Sequence, residues 1–192
     1  MSGSRLSLPI ETRRLLLRDF QASDFARVYA YASDPEVMRH MFYDARDEAD
    51  TRDYLRRMQE SQRKRPRLIW ELGIVRRDGA DLIGACDLTL EGKREADLGY
   101  MLRRDAWGFG YAREAVLALV DAGFTELRLA RIFATCDIDN AASVRLLERA
   151  GFRRQGVLRR HREAKGRWWD VLLFDRTADE WRTEQTQSAT RR

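Results

Sequence analysis

Residues Trp107–Ala115 read WGFGYAREA, with Gly108 and Gly110 set immediately before a helical pattern. Glycine at a helix start lets another group approach the backbone closely. The first N–H groups of a helix lack intrahelical acceptors, and with the positive end of the helix dipole they make an anion site. Gly110 removes a Cβ where phosphate oxygens would come near. Ala112 keeps the next position small, and Arg103, Arg104 and Arg113 add positive charge. Taken alone, the stretch reads equally well as a glycine loop without a ligand. It is not a P-loop, because no Gly-Lys-Ser/Thr follows. As a dinucleotide fingerprint it has Arg113 where a third small residue belongs, and Asp137 arrives late for the expected acid.

A second stretch, DNAASVRLLERAGF, carries Asn140, Ser143, Leu146, Gly151 and Phe152 at the spacing N-x-x-S-x-x-L-x-x-x-x-G-F. Asp139 or Asn140 caps this helix and Gly151 stops it. His40 and His161 have no nearby ligand spacing, so no metal site is expected. Cys136 sits in an apolar strand and reads as a buried structural thiol. Trp168 and Trp169, at a strand start, read as packing. The run Arg159–Arg162 is either a solvated turn or a contact for acidic substrate residues or RNA.

These groups have to be positioned by the rest of the chain. RLLLRDF (Arg14–Phe20) is a strand candidate, followed by a helix with Phe25, Val28 and Tyr29 on one face. SDPEVMRHM restarts a helix with Pro35 at its first position. DEADTRDYLRRMQESQRK is amphipathic, burying Tyr54, Leu55 and Met58. After Pro66, RLIWELGIV, LIGACDLTL and EADLGYML form an antiparallel meander, with a turn at Asp78-Gly79. Ala112, Ala115, Val116, Leu119, Gly123 and Leu127 recur at helical steps. RIFATCDI is a strand, and two more strands meet near Gly166. The order predicts a single mixed α/β (α+β) domain over residues 10–182, with residues 1–9 and 183–192 as flexible ends.

The chain has 192 residues, 44% of them hydrophobic, enough for one buried core. Its net charge of +5 rests almost wholly on arginine, since the only lysines are Lys64, Lys93 and Lys165. That balance raises the expectation of an anionic partner or ligand without establishing one. The two cysteines, Cys86 and Cys136, form no disulfide framework, which fits a reducing, cytoplasmic setting. No secretory signal and no membrane-spanning segment is expected.

With both motifs in view, the chain resembles the acetyl-CoA-dependent N-acetyltransferase (GNAT) superfamily. Within it the chain is similar to the RimJ/RimL-type branch, which acetylates protein N-termini. Gly110 and Ala112 match the two small positions of the superfamily's pyrophosphate motif. ETRRLLLRDFQASDF, SDPEVMRHM and RRQGVLRRHREAKGRWWDVLLF also fit the branch, so the resemblance covers roughly residues 10–176. Many members carry a proton-donating Tyr after the helix Leu, where this chain has Leu147. The implied fold is a GNAT domain. Its mixed, mostly antiparallel sheet has six to seven strands, is flanked by helices, and splays between the fourth and fifth strands.

The resemblance implies direct acetyl transfer from acetyl-CoA, as cosubstrate, to a primary amine, most naturally a protein or peptide N-terminal α-amine. Trp107, Gly108, Phe109, Gly110, Tyr111 and Ala112 would hold the pyrophosphate. The strand edge at Met101, Leu102 and Arg103 would pair with the pantetheine arm, and an N–H there would stabilise an oxyanion, typically by about 3 kcal/mol. Asp97 and Glu71, expected on neighbouring strands, are the candidate bases, directly or through water. Ser143 would hydrogen-bond the departing sulfur, and Asn140 would cap the helix and hold the cofactor arm. A small amine such as a polyamine or aminoglycoside is the alternative acceptor. A non-catalytic CoA- or RNA-binding module is the alternative class. Ribosome association and a homodimer are compatible with the resemblance.

Overall fold

The computed structural model describes residues 5–190, with side chains for all of these but 188–190. Residues 1–4 and 191–192, parts of the expected flexible ends, lie outside the described residues. The chain runs β1 (Ile10–Glu11), β2 (Leu15–Arg18), α1 (Phe25–Ala32), α2 (Glu48–Arg63), β3 (Ile69–Arg76), β4 (Leu82–Glu91) and β5 (Glu95–Leu102). It continues through α3 (Tyr111–Thr125), β6 (Arg131–Asp137), α4 (Ala141–Arg149), β7 (Arg153–Ala164), β8 (Arg167–Thr177) and α5 (Ala178–Thr190).

One eight-stranded sheet has the order β1-β2-β3-β4-β5-β6-β8-β7. The expectation of six to seven strands misses β1, whose two residues pair with Leu16 and Leu17. Two residues are too short to show an alternating pattern, so only the pairing reveals them. All neighbours are antiparallel except β5 and β6.

The β5–β6 junction positions the site. Its parallel pairing covers Glu95↔Arg131, Ala96↔Ile132 and Asp97↔Phe133, and then stops. Beyond it, β5 stays with β4 as far as Gly84↔Leu102, and β6 stays with β8 as far as Asp137↔Val171. Each half of the sheet keeps its own partner, and the twist of each carries the two strands apart. The resulting seam is the expected splay, between the fourth and fifth strands when β1 is left uncounted.

Strand alternation fills two cores. Trp70, Leu72 and Ile74 of β3 join Cys86, Leu88 and Leu98 against Val116, Leu119 and Val120 of α3. On the opposite face Phe20, Val28, Tyr31, Tyr54, Leu55, Val75 and Leu82 pack under α1 and α2. Helix α2 starts where Asp47 accepts the Asp50 N–H at 2.8 Å, and acidic Glu48 and Asp50 complement its dipole.

Two local expectations are corrected. The segment around Pro35 makes turns rather than a helix, with Met38 N–H donating to Asp34 O and Met41 N–H to Met38 O. So short a run gains few helical bonds. Val37 and Met38 face the core under α1, while His40 and Phe42 reach β6 and β8, directions that one helix face cannot serve. The lead-in is also partly packed: Leu6 is buried, and Ser7 N–H donates to Glu126 at 2.6 Å. At the other end α5 continues past residue 182, and Arg176 pairs with Glu184. No helix among the described residues is long and apolar enough to cross a membrane.

Candidate active site

The glycine loop leaves the end of β5 through a 3-10 turn at Arg104–Ala106. Gly108 (φ +84°) and Gly110 (φ +78°) both occupy the left-handed region, which makes glycine the fitting residue at each. Gly110 is the N-cap of α3, and no side chain caps that helix. The first intrahelical bond runs from Glu114 N–H to Gly110 O, so the preceding N–H groups lack an acceptor within the helix. A Cβ on Gly108 would meet nothing within 4 Å, so the space over this loop is open. Trp107 anchors the loop through Nε1–H to Leu102 O at 2.9 Å, while Phe109 is exposed and stacks on Tyr111.

The arginines expected to charge the loop are engaged elsewhere. Arg103 pairs with Asp81 at 2.8 Å and Asp105 at 2.6 Å, Arg104 with Asp34 at 3.2 Å, and Arg113 donates to Arg149 O. The loop's pull on an anion therefore rests on its amides and the helix dipole. Sequence reading missed Arg14, which donates to Phe109 O at 2.9 Å and pairs with Glu114 at 2.6 Å. Burial would raise the Glu114 carboxyl, but hydrogen bonds from Thr12 and Arg14 hold it below its ordinary range. Strand β2 and helix α3 thus clamp the loop from behind.

Met101 and Leu102 end β5, and Arg103 N–H donates back to Ile83 O at 2.7 Å. Ladder alternation then turns the main-chain groups of Leu98, Tyr100 and Leu102 toward the open seam. Of the three edge residues expected there, Leu102 therefore turns its N–H to the seam, its carbonyl being held by the Trp107 indole, whereas the Arg103 N–H is already used.

Helix α4 begins at the far side of the seam. Asn140 caps it, its Oδ1 accepting the Ser143 N–H at 3.0 Å. The Ser143 hydroxyl lies 2.6 Å from the Tyr100 hydroxyl, which reaches across from β5. Burial raises the Tyr100 phenol, keeping it neutral, and also raises the adjoining Cys136 thiol, which is in hydrogen-bond contact with Ser143. Leu147 is fully buried in the main core. A phenol thus reaches this helix from a strand. Tyr100 was missed because its 43-residue separation from Ser143 leaves no local pattern.

The opposite face of the sheet carries the carboxylates. Glu71 is on β3 and Asp97 on β5, separated by β4, which corrects the expectation of neighbouring strands. Between them stands Asp87, paired in register with Glu71 and with Gly99, while Asp97 pairs with Thr89. Alternation puts all three acids on the α1/α2 side. Burial raises Glu71, against the hydrogen bond donated by the Tyr54 hydroxyl and the charge of Arg46. Burial and the charge of Glu91 push Asp97 up to about 6, with Arg162 opposing. Burial, then Glu71 and Asp97, raise Asp87 well above its ordinary value.

The turn segment after α1 closes over this face. His40 Nδ1 lies 2.8 Å from Asp137, the Lys165 ammonium donates to Met38 O, and Phe42 packs edge-on to Trp169. Arg162 covers Phe42, and Arg167 covers Trp169. Trp169 is packed as expected, whereas Trp168 is exposed and stacked by Arg160. Among the described residues no group of three or more His, Cys, Asp and Glu is arranged to hold a metal ion.

The cleft thus has a glycine loop with uncapped amides, a seam where β5 and β6 no longer pair, a hydroxyl pair on one face and carboxylates on the other. The sequence pattern of the Acetyltransferase (GNAT) domain family matches residues 14–153. The chain is 35% identical over 170 residues to "Uncharacterized N-acetyltransferase p20" of Bacillus licheniformis, covering 85% of this chain and 92% of that protein. A GNAT-family acetyltransferase from Bacillus anthracis has the same fold, with a TM-score of 0.80 at 27% identity, over 88% of this chain and 98% of that one. Spermidine N-acetyltransferase from Vibrio cholerae, solved with CoA and spermine, shares the fold at 21% identity (TM-score 0.76, 88% of this chain and 99% of that one). The chain belongs to the GNAT acetyltransferase family.

Proposed function

We propose that the protein transfers an acetyl group from acetyl-CoA to a primary amine entering on the α1/α2 face, and that the amine is a protein or peptide N-terminus. The observation that carries the reading is the open β5–β6 seam, with the glycine loop at its end and opposite chemistry on its two faces. The residues fit the cosubstrate. Uncapped amides from Gly108 to Ala112 suit a diphosphate, and the seam edge of Leu98, Tyr100 and Leu102 suits an extended pantetheine arm. When bound, acetyl-CoA supplies the activated acyl group.

The protein's own residues divide the remaining work. N–H groups on the seam edge are available to an oxyanion. The Tyr100–Ser143 pair hydrogen-bonds the leaving sulfur and delivers a proton toward it. Ser143 takes this role with Tyr100, and Asn140 orders the turn that carries Ser143. The carboxylates meet the ammonium. An α-amine with pKa near 8 is already about one-tenth neutral at pH 7, so it asks less of a base than lysine.

Charge layout supports an N-terminus over a polycation. The floor is acidic, but the rim carries Arg160, Arg162, Lys165 and Arg167 around Trp168 and Trp169. An amine head followed by acidic residues matches both zones, as in a RimJ/RimL-type reaction on a ribosomal protein. The acidic floor taken alone favours the second reading, a small polyamine. A thiol-release assay with free-amine peptides, their N-acetylated copies and spermidine separates them. Turnover of peptides, improving with acidic residues after the first, is expected. Turnover of spermidine alone overturns the N-terminal reading, and CoA binding without turnover of any amine overturns the enzymatic one.

A further inference from the structure

Three carboxylates line the floor, and among the described residues an arginine charge offsets only two of them. Glu71 has Arg46, whose guanidinium is sandwiched by Tyr43 at 4.8 Å and Tyr54 at 4.0 Å. Asp97 has Arg162, reaching across from β7. No cationic side chain offsets Asp87 among the described residues, and its carboxylate accepts a hydrogen bond from the Thr89 hydroxyl at 3.3 Å. A half-buried carboxylate with neither a cation nor a full set of donors is costly.

Its position is specified by a glycine. Gly99 lies opposite Asp87 across the ladder, and a Cβ there would meet Asp87 Oδ1 at 2.2 Å and Cγ at 3.1 Å. The Asp87 carboxylate therefore occupies the space of the missing Gly99 side chain. Gly99 is two residues past Asp97, where pairing to β6 ends, so this carboxylate lies beside the opening seam. Asp97 lies at the closed end of the seam, and Glu71 is one strand further from it.

We propose that Asp87 is a catalytic residue, whose carboxylate over Gly99 binds the acceptor ammonium and takes its proton. The assignment rests on the acetyl-transfer reading and deepens it. One N–H proton passes to Asp87, and the freed lone pair forms the C–N bond at the thioester carbon. The C–S bond then breaks, and a second N–H proton reaches the sulfur through the Ser143–Tyr100 hydroxyls. The products are the amide and the thiol, and Asp87 gives its proton to solvent. The groups facing Asp87 are Glu71 on β3, Asp97 on β5 and Tyr43 in the segment between the helices. Behind them lie Tyr31, Tyr54 and Arg46 around Glu71, with Glu91 and Arg162 beside Asp97. Burial and the two like charges raise Asp87, the direction in which a carboxylate becomes a stronger base.

The test uses the full chain, Asp87→Asn and Gly99→Ala, the second displacing the carboxylate while leaving the charge. The probes are a free-amine tetrapeptide with two aspartates, its N-acetylated copy, and spermidine. Both variants are expected to bind CoA as the wild type does in calorimetry, and to lose about 10²- to 10⁴-fold in kcat/KM at pH 7. For Asp87→Asn the deficit should shrink as pH rises and solution deprotonates the amine, moving the acid limb of the profile to the amine's own pKa. Removing an unpaired charge should also raise the melting temperature of Asp87→Asn, a sign opposite to that of a structural role. If the variants turn over within about twofold of wild type with the same pH profile, the assignment is overturned and the activity stands, a change far below the base's usual share. Binding by CoA-loaded wild type is read alongside. If it turns over no amine and prefers neither the free-amine peptide nor spermidine over the acetylated copy, both readings fail. A preference for free amine that Asp87→Asn abolishes, without turnover, leaves Asp87 as the ammonium site and overturns its role as a base.

Discussion

Ser143 shows how two weak acids can act together. Its hydroxyl alone is a poor proton donor, yet 2.6 Å away lies a phenol that burial keeps neutral. Ser143→Ala and Tyr100→Phe should each lower turnover by up to about 100-fold, the modest end of proton-transfer effects, while CoA affinity measured by calorimetry changes little. In the proposed role the two act as one unit, so the double variant should cost much less than the product of the single losses. Asp97 gives a stability test. Its carboxyl sits near 3.8 when unfolded and about 6 when folded, so the folded chain holds the proton more tightly. That contribution is full below about pH 4 and is lost as pH rises through about 6, a change of at most about 3 kcal/mol. Urea melts across this window should show wild type losing more stability than Asp97→Asn. Equal slopes would refute the burial argument.

Among the elements, two glycines predict opposite outcomes. Gly110 caps α3 in a left-handed conformation with only the tip of Arg14 near, so a side chain there meets the ligand space rather than the core. Gly110→Glu should abolish CoA binding by charge and bulk while circular dichroism stays native-like; retained affinity would move the pyrophosphate elsewhere. Gly84 instead faces backbone, since a Cβ there would sit 2.2 Å from Met101 O. Gly84→Ala must push β4 from β5, and should destabilise the fold by about 1–3 kcal/mol in denaturant titrations. The glycine loop and the α4 cap were legible because each is built from residues adjacent in the chain. The turn segment after α1 was not, because Val37, Met38, His40 and Phe42 answer to partners in other elements.

At the scale of the molecule, the seam is a property of the whole sheet. Neither β5 nor β6 carries a signal for it, since it exists because β4 and β8 hold them in different halves. A ligand spanning the loop and the seam contacts both halves and must stabilise the native state. At 100-fold excess over its Kd, acetyl-CoA should add about 2.7 kcal/mol, raising the melting temperature by roughly 5–10 °C. No shift at saturating concentration would count against the donor site.

The sequence by itself determined the meander, the glycine loop ahead of α3, a polar cap at Asp139 or Asn140 on α4 and the mixed α/β class. Each of these is set by dihedral preferences and hydrogen bonds within a few residues. Tertiary structure alone decided that Tyr100 meets Ser143, that Arg14 clamps the loop, and that Asp87 lies over Gly99 with no cation beside it among the described residues. Those pairings depend on strand register and on which charges are already neutralised, and both are fixed only when distant segments pack together.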